Sequence, residues 1–288
     1  MVRKVVITAA GLGTRLLPTT KEMPKEMLPI YVRAGNGAVT LKPLLQALFE
    51  QLYTFGFRQF CFVVGRGKRA IEDHFTPDWD FIDKMDKMGK YSTVSELITF
   101  YKMLEESVIV WVSQPAPRGF GDAVKTARHF VGDDNFLLCA GDTYIYSKDG
   151  KFLKNLIAAG PKNEYDATLL VQKVENPQQY GVVVSQPVGG GLHRVSKVFE
   201  KPRTPPSNLA IMPFYIFTPY IMKALDATPE DAGGELQLTD AIQKLIDTGG
   251  NILAVELDEK ELRLDIGTPE TYMEALSLSY RYTRGGET

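Results

Sequence analysis

The strongest constraint on the fold is an alternation in the first half of the chain. Short apolar runs of strand length, over 3–10, 60–64, 108–112 and 135–140, are separated by segments with helical spacing. Over 42–55, Leu44, Leu45, Leu48, Leu52 and Phe55 share one helical face, and Gly56 follows at a helix-ending position. A basic stretch over 65–70 leads into a short helix, and 120–130 reads as another. Strand and helix taking turns in this way predict a mainly parallel sheet covered on both faces. Residues 79–105 are charged and helical in pattern and read as a surface excursion.

The second half reads differently. Strand-like runs over 166–172, 181–185, 192–199 and 209–217 have short links, and Gly189-Gly190-Gly191 marks a hairpin-like turn. Helices over 219–226 and 237–247, a strand over 252–257 and a final helix over about 269–281 complete the chain. No linker-like composition divides it, so a single α/β domain over 1–288 is expected.

Composition removes several function classes. A chain of 288 residues buries about three quarters of its unfolded surface and needs no disulfide or structural zinc. Its two cysteines, Cys61 and Cys139, lie in apolar runs and read as buried reduced thiols. The net charge of −2 gives no general attraction to nucleic acid or anionic membranes. No apolar run approaches a membrane span of roughly 18 residues, and no signal-peptide pattern is present. A soluble, cytoplasmic protein is expected.

The chemistry concentrates after the first strand, in Ala9-Ala10-Gly11-Leu12-Gly13-Thr14-Arg15. Glycines there let the backbone approach a phosphate with its N–H groups turned inward. Arg15 adds a forked, permanently charged donor. Ten positions on, Lys25 stands between Pro24 and Pro29 as a point charge on a stiffened loop. The dinucleotide fingerprint is excluded because Leu16 occupies the place of its third small residue, and a P-loop because Gly-Lys-Ser/Thr is missing.

Gly11-Leu12-Gly13-Thr14-Arg15 followed by Lys25-Glu26-Met27-Leu28-Pro29 resembles the signature of sugar-1-phosphate nucleotidylyltransferases. Further motifs recur in that family's order: 114–123, Gly141-Asp142, 180–183, Phe199-Glu200-Lys201-Pro202 and Asp265-Ile266-Gly267-Thr268. The similarity is greatest to bacterial-type UTP–glucose-1-phosphate uridylyltransferases, as segments 206–211 and 234–241 indicate. Residues 114–117 look closer to the related thymidylyltransferases, which use dTTP.

The resemblance implies a Rossmann-like three-layer nucleotidyltransferase fold with a mainly parallel mixed sheet and an added β-rich sugar-binding part. The nucleotide-binding half would cover about 1–145 and the sugar-binding half about 146–268, with a C-terminal helical segment over about 269–288. It implies Mg²⁺-dependent, in-line transfer from UTP to glucose 1-phosphate, giving UDP-glucose and pyrophosphate, in a homo-oligomer. Ala10, Gly11, Gly13, Thr14, Arg15, Gln114 and Gly119 would bind nucleotide, with Gln114 reading the base. Tyr180, Gly181, Glu200 and Lys201 would bind the sugar phosphate. Asp142 and Asp265 would hold the metal, and Arg15, Lys25, Asp142 and Lys201 would carry the catalysis. Gln237 and Asp240 read equally well as helix-surface residues and are left outside the site. The three histidines, His74, His129 and His193, sit in no triad-like setting. A phosphate monoester has a second pKa of about 6 and is already an anion near neutral pH, so the reaction requires no general base. A nicotinamide-dependent oxidoreductase is disfavoured by Leu16. A non-catalytic nucleotide-sugar-binding regulator is disfavoured because both carboxylates and both loop cations are present.

Overall fold

Apolar runs too short for helices pair side by side, and amphipathic helices cover the resulting sheet. The computed structural model describes residues 2–160 and 164–285. β1 (Lys4–Ala9) leads into a loop with three short 3-10 turns, then into the hairpin of β2 (Pro29–Arg33) and β3 (Val39–Pro43). There follow α1 (Leu44–Thr54), β4 (Gln59–Val64), α2 (Arg69–His74), α3 (Trp79–Lys87), α4 (Tyr91–Glu105), β5 (Val108–Ser113), α5 (Phe120–Thr126), α6 (Arg128–Val131) and β6 (Phe136–Ala140). The second half contains β7 (Thr143–Tyr146), α7 (Lys151–Ala158), β8 (Ala167–Lys173), β9 (Gly181–Gly189), β10 (Leu192–Glu200), β11 (Leu209–Phe217), α8 (Tyr220–Ala227), α9 (Leu238–Asp247), β12 (Ile252–Glu256), β13 (Leu262–Asp265) and α10 (Pro269–Thr283).

One nine-stranded sheet runs through both halves, in the order β5-β4-β1-β6-β11-β8-β12-β10-β9. β5, β4, β1 and β6 are parallel, as the strand–helix alternation requires. β11 lies antiparallel to both β6 and β8, so the sheet is mixed where the halves meet. Pro213 sits inside this central strand. The β11–β8 register slips between Met212 and Tyr215, and such an irregularity is where a sheet tolerates proline. Alternate residues of β1 feed opposite faces. Val5 and Ile7 join a core with Leu48, Phe100 and Phe152 from α1, α4 and α7. Val6 joins a core with Val124, Ile221 and Ile242 from α5, α8 and α9. These are the three expected layers.

The differences from the sequence reading have local causes. Residues 79–105 are helical, and α3 lies at the surface as expected with Ile82 buried, but α4 belongs to the core. Ile82, Val94, Ile98, Phe100, Tyr101 and Leu104 are buried, and Phe100 packs edge-on against Phe49 and Phe75. Their charges occupy the opposite faces of α3 and α4. Lys42 and Pro43 end a strand and do not begin a helix. The helix expected over 120–130 is two helices that meet at Ala127. The short strands β2, β3, β7 and β13, and helix α7, gave no separate sequence signal. The expected C-terminal segment 269–288 is helical to Thr283, and 286–288 lie outside the described residues.

Candidate active site

The parallel strands β1 and β6 end at one edge of the sheet, where open α/β sheets place their ligands. A cleft of about 880 Å³ opens there. Every residue that the sequence singled out lines it: Ala10, Gly11, Gly13, Thr14, Arg15, Lys25, Gln114, Gly119, Asp142, Tyr180, Gly181, Glu200, Lys201 and Asp265. No histidine is among the lining residues.

The loop after β1 is shaped by Gly13, whose φ of 65° is left-handed. A side chain there would meet Thr20, whose hydroxyl donates to the Gly13 carbonyl at 2.7 Å. Gly11 lies against the stem of Lys25. Arg15 is exposed and crosses over Gly267, where a Cβ would come within 3.2 Å of both the guanidinium and an Asp265 oxygen.

Asp142 follows β6 and forms an ion pair with Lys25. Burial pushes the Asp142 carboxyl up, but the Lys25 charge and hydrogen bond outweigh it and hold the group below its ordinary value. Lys25 is held above its ordinary value, first by Asp142 and against the effect of burial. Asp265 lies 123 positions away in sequence, and its place is set by strand pairing. β13 runs antiparallel to β7, and Asp265 pairs with Thr143, the residue after Asp142. The two carboxylates therefore reach one end of the cleft.

At the other end, β9 and β10 pair so that Gly181 faces Glu200. A Cβ at Gly181 would lie 2.8 Å from Thr239 Oγ1 and 3.3 Å from Glu200 Oε2, so only glycine fits. Lys201 has a φ of 39°, a conformation uncommon outside glycine, and its ammonium lies 3.1 Å from Glu200. Backbone strain of this kind is concentrated at functional sites.

Gln114 follows β5 and is almost fully buried. Gly119 has a φ of 96°, and a side chain there would meet the Leu236 backbone at 2.7 Å. Backbone hydrogen bonds from Gly121 N to Leu236 O and from Leu236 N to Arg118 O, both 2.8 Å, join this turn to the segment before α9.

Sequence reasoning missed several residues in and beside the cleft. Arg263 on β13 lines the cleft, approaches Asp265 at 3.4 Å, donates to the Tyr180 hydroxyl at 3.2 Å and lies over that ring. Alternation along β13 places Arg263 and Asp265 on the same face. Gln237, set aside as a surface residue, also lines the cleft and donates to Asp231 and Glu235. Glu26 and Lys68 form a buried ion pair at 2.7 Å directly beside Lys25.

Cys61 and Cys139 are buried and unpaired, and burial pushes the Cys61 thiol up to about 12 and Cys139 higher still. His74 stacks on Phe100, and His193 pairs with Glu256 away from the cleft. Among the described residues, no helix is long and apolar enough to cross a membrane.

Comparison with known proteins places this geometry in context. The family model for nucleotidyl transferases matches residues 4–280. A UTP–glucose-1-phosphate uridylyltransferase of Bacillus subtilis is 38% identical over 274 residues, covering 92% of this chain and 87% of the relative. One from Pseudomonas aeruginosa is 35% identical over 288 residues, covering 98% and 97%. A crystal structure of UDP-glucose pyrophosphorylase complexed with UDP-glucose matches with a TM-score of 0.84 and 30% identity, covering 98% of this chain and 100% of that one. A likeness that extends from the phosphate loop through β13 and into α10 is far more than a shared loop, and the chain belongs to the nucleotidyl transferase family.

Proposed function

We propose that this protein transfers a uridylyl group from UTP to glucose 1-phosphate, giving UDP-glucose and pyrophosphate. One observation carries the reading. The glycine loop with Arg15 and Lys25, the Glu200–Lys201 corner and Asp142 all line the same cleft. Two anionic substrates thus have separate cationic seats in one cleft. The relatives that match over nearly the whole chain carry the name of this activity.

The loop N–H groups and Arg15 bind the triphosphate, and Arg15 neutralises the pyrophosphate as it leaves. Lys25 exchanges its bond to Asp142 for the α-phosphate. Lys201 seats the sugar phosphate, and Glu200 accepts hydrogen bonds from the sugar hydroxyls beside Gly181. A sugar-phosphate oxygen forms a bond to the α-phosphorus as the bond to the β-phosphate oxygen breaks. The electron pair leaves with pyrophosphate, and no covalent enzyme intermediate forms. Positioning and electrostatics supply the acceleration, because the nucleophile is already ionised.

Asp142 and Asp265 suit a hard divalent cation such as Mg²⁺, which binds through one or two carboxylates together with phosphate oxygens. Bound there, Mg²⁺ supplies Lewis-acid stabilisation of phosphoryl charge. The reaction is placed in the cytoplasm as part of the same proposal. A homo-oligomer is part of this reading, with α10, which exposes Met273 and Tyr280, as the proposed contact.

The test is pyrophosphate release from glucose 1-phosphate with Mg²⁺ and each of UTP, dTTP, ATP, CTP and GTP. Release with UTP and little with dTTP is the expected result. Preference for dTTP would assign a thymidylyltransferase. Silence with every triphosphate, repeated with other sugar 1-phosphates, would favour a non-catalytic binder.

A further inference from the structure

The base-reading glutamine is held in one orientation. Gln114 Nε2 donates to Asp122 Oδ2 at 2.8 Å and to the Gly119 carbonyl at 3.2 Å. Both acceptors are obligate, since a carboxylate and a backbone carbonyl carry no hydrogen to donate. Reversing the amide would set its oxygen against two other oxygens. Asp122 is itself fixed: it is buried on the first turn of α5, and its other oxygen accepts from Arg118 at 3.1 Å. Both N–H groups of the amide are therefore consumed within the protein. Gln114 Oε1 has no hydrogen-bond partner among the described residues and is not sealed off from the cleft that Gln114 lines.

We infer that Asp122 is a positioning residue that fixes the Gln114 amide, so that the base pocket presents a hydrogen-bond acceptor and selects pyrimidines bearing an imino N–H. Uracil and thymine carry that hydrogen at N3. Cytosine has a lone pair there and would face Oε1 acceptor to acceptor. Selection by an unpaired or repelled polar group is far stronger than selection by a methyl group. The lock therefore excludes CTP and leaves the choice between UTP and dTTP to other contacts. This inference rests on the proposed nucleotide-binding role of Gln114.

The test is calorimetric titration of the wild type and of Asp122→Asn with UTP, dTTP and CTP, with Mg²⁺ and without sugar phosphate, so that nothing turns over. The wild type is expected to bind UTP and dTTP at least ~10²-fold more tightly than CTP. Asp122→Asn can donate to Gln114 and so permits the amide to turn. Its UTP-to-CTP ratio is expected to fall by about tenfold or more. A pocket that is merely loosened weakens both nucleotides alike, and the ratio is independent of the fraction of folded protein. An unchanged ratio in Asp122→Asn, or a wild type that binds CTP as tightly as UTP, overturns the inference. A parallel pyrophosphate assay of the wild type with UTP and glucose 1-phosphate tests the proposed reaction separately. Absence of turnover there would sink the activity and leave the binding ratios to decide the lock.

Discussion

Lys25 and Glu26 are neighbours in the chain, yet they belong to two ion pairs with different surroundings. Lys25 turns towards the cleft and pairs with Asp142, and their side chains are 15% and 23% exposed. Glu26 also borders the cleft but pairs with Lys68, and those side chains are 2% and 7% exposed. The same short 3-10 turn presents both. A partly wetted pair can exchange one partner for an arriving phosphate at little desolvation cost. A dry pair cannot, because a partner left alone keeps a buried charge. The first pair is suited to chemistry, and the second fixes the turn from which Lys25 projects.

The largest expected effect breaks the dry pair. Lys68→Met should lower unfolding free energy by about 3–5 kcal/mol, because Glu26 is left buried without a partner. The double variant Glu26→Gln/Lys68→Met should recover most of that loss. Denaturant unfolding measures both. A single variant costing under about 1 kcal/mol would mean that water reaches Glu26 and that the contrast between the pairs is lost.

Asp142→Ala breaks the wetted pair. It should lower kcat by roughly 10²-fold or more while changing the unfolding midpoint little. Near-normal turnover in Mg²⁺ would reject the assignment of Asp142 to the metal. A large loss of stability would instead make this pair structural, like its neighbour. Lys201→Ala should be milder. It should raise KM for glucose 1-phosphate by about tenfold and leave KM for UTP nearly unchanged, since it removes a contact to one substrate. Equal changes in both would move Lys201 away from the sugar-phosphate seat.

The contrast also explains what could be read from the sequence. Lys25 was legible because prolines and a glycine loop surround it within twenty residues. Lys68 was not, because a lysine in a basic, glycine-containing stretch reads as solvated surface. Its burial depends on α2 closing against the turn after β1. Asp142 and Asp265 were each recognisable by motif, but their convergence depends on β13 pairing with β7, two four-residue strands too short to show a period. Arg263 was lost for the same reason. Asp122 looked like one more helix residue until the turn before α5 placed it under Gln114. The α/β alternation was read correctly because burial on both faces leaves long apolar runs. Within 79–105, α4 was misread because charge count was weighed above the periodic placement of Val94, Ile98 and Tyr101.

The smallest expected effect has opposite signs for the two carboxyls. Asp142 is held below its ordinary 3.8, as Lys25 outweighs burial. Its pairing therefore contributes stability above pH 3.8 that is lost as pH falls through the folded value. Glu26 is raised above its ordinary 4.5, because burial outweighs the pull of Lys68. The folded protein then binds a proton more readily than the unfolded chain. Stability falls as pH rises from 4.5 through the folded value. Lys25 is raised above 10.5, chiefly by Asp142, so its contribution is complete below that pH and lost as pH rises through its folded value. Unfolding free energy measured against pH should show Asp142→Asn removing the acid-side loss below 3.8. Glu26→Gln should remove a decline just above 4.5. Matching slopes from the two variants would show that Lys68 compensates Glu26 as fully as Lys25 compensates Asp142, and the two pairs would then differ in exposure alone.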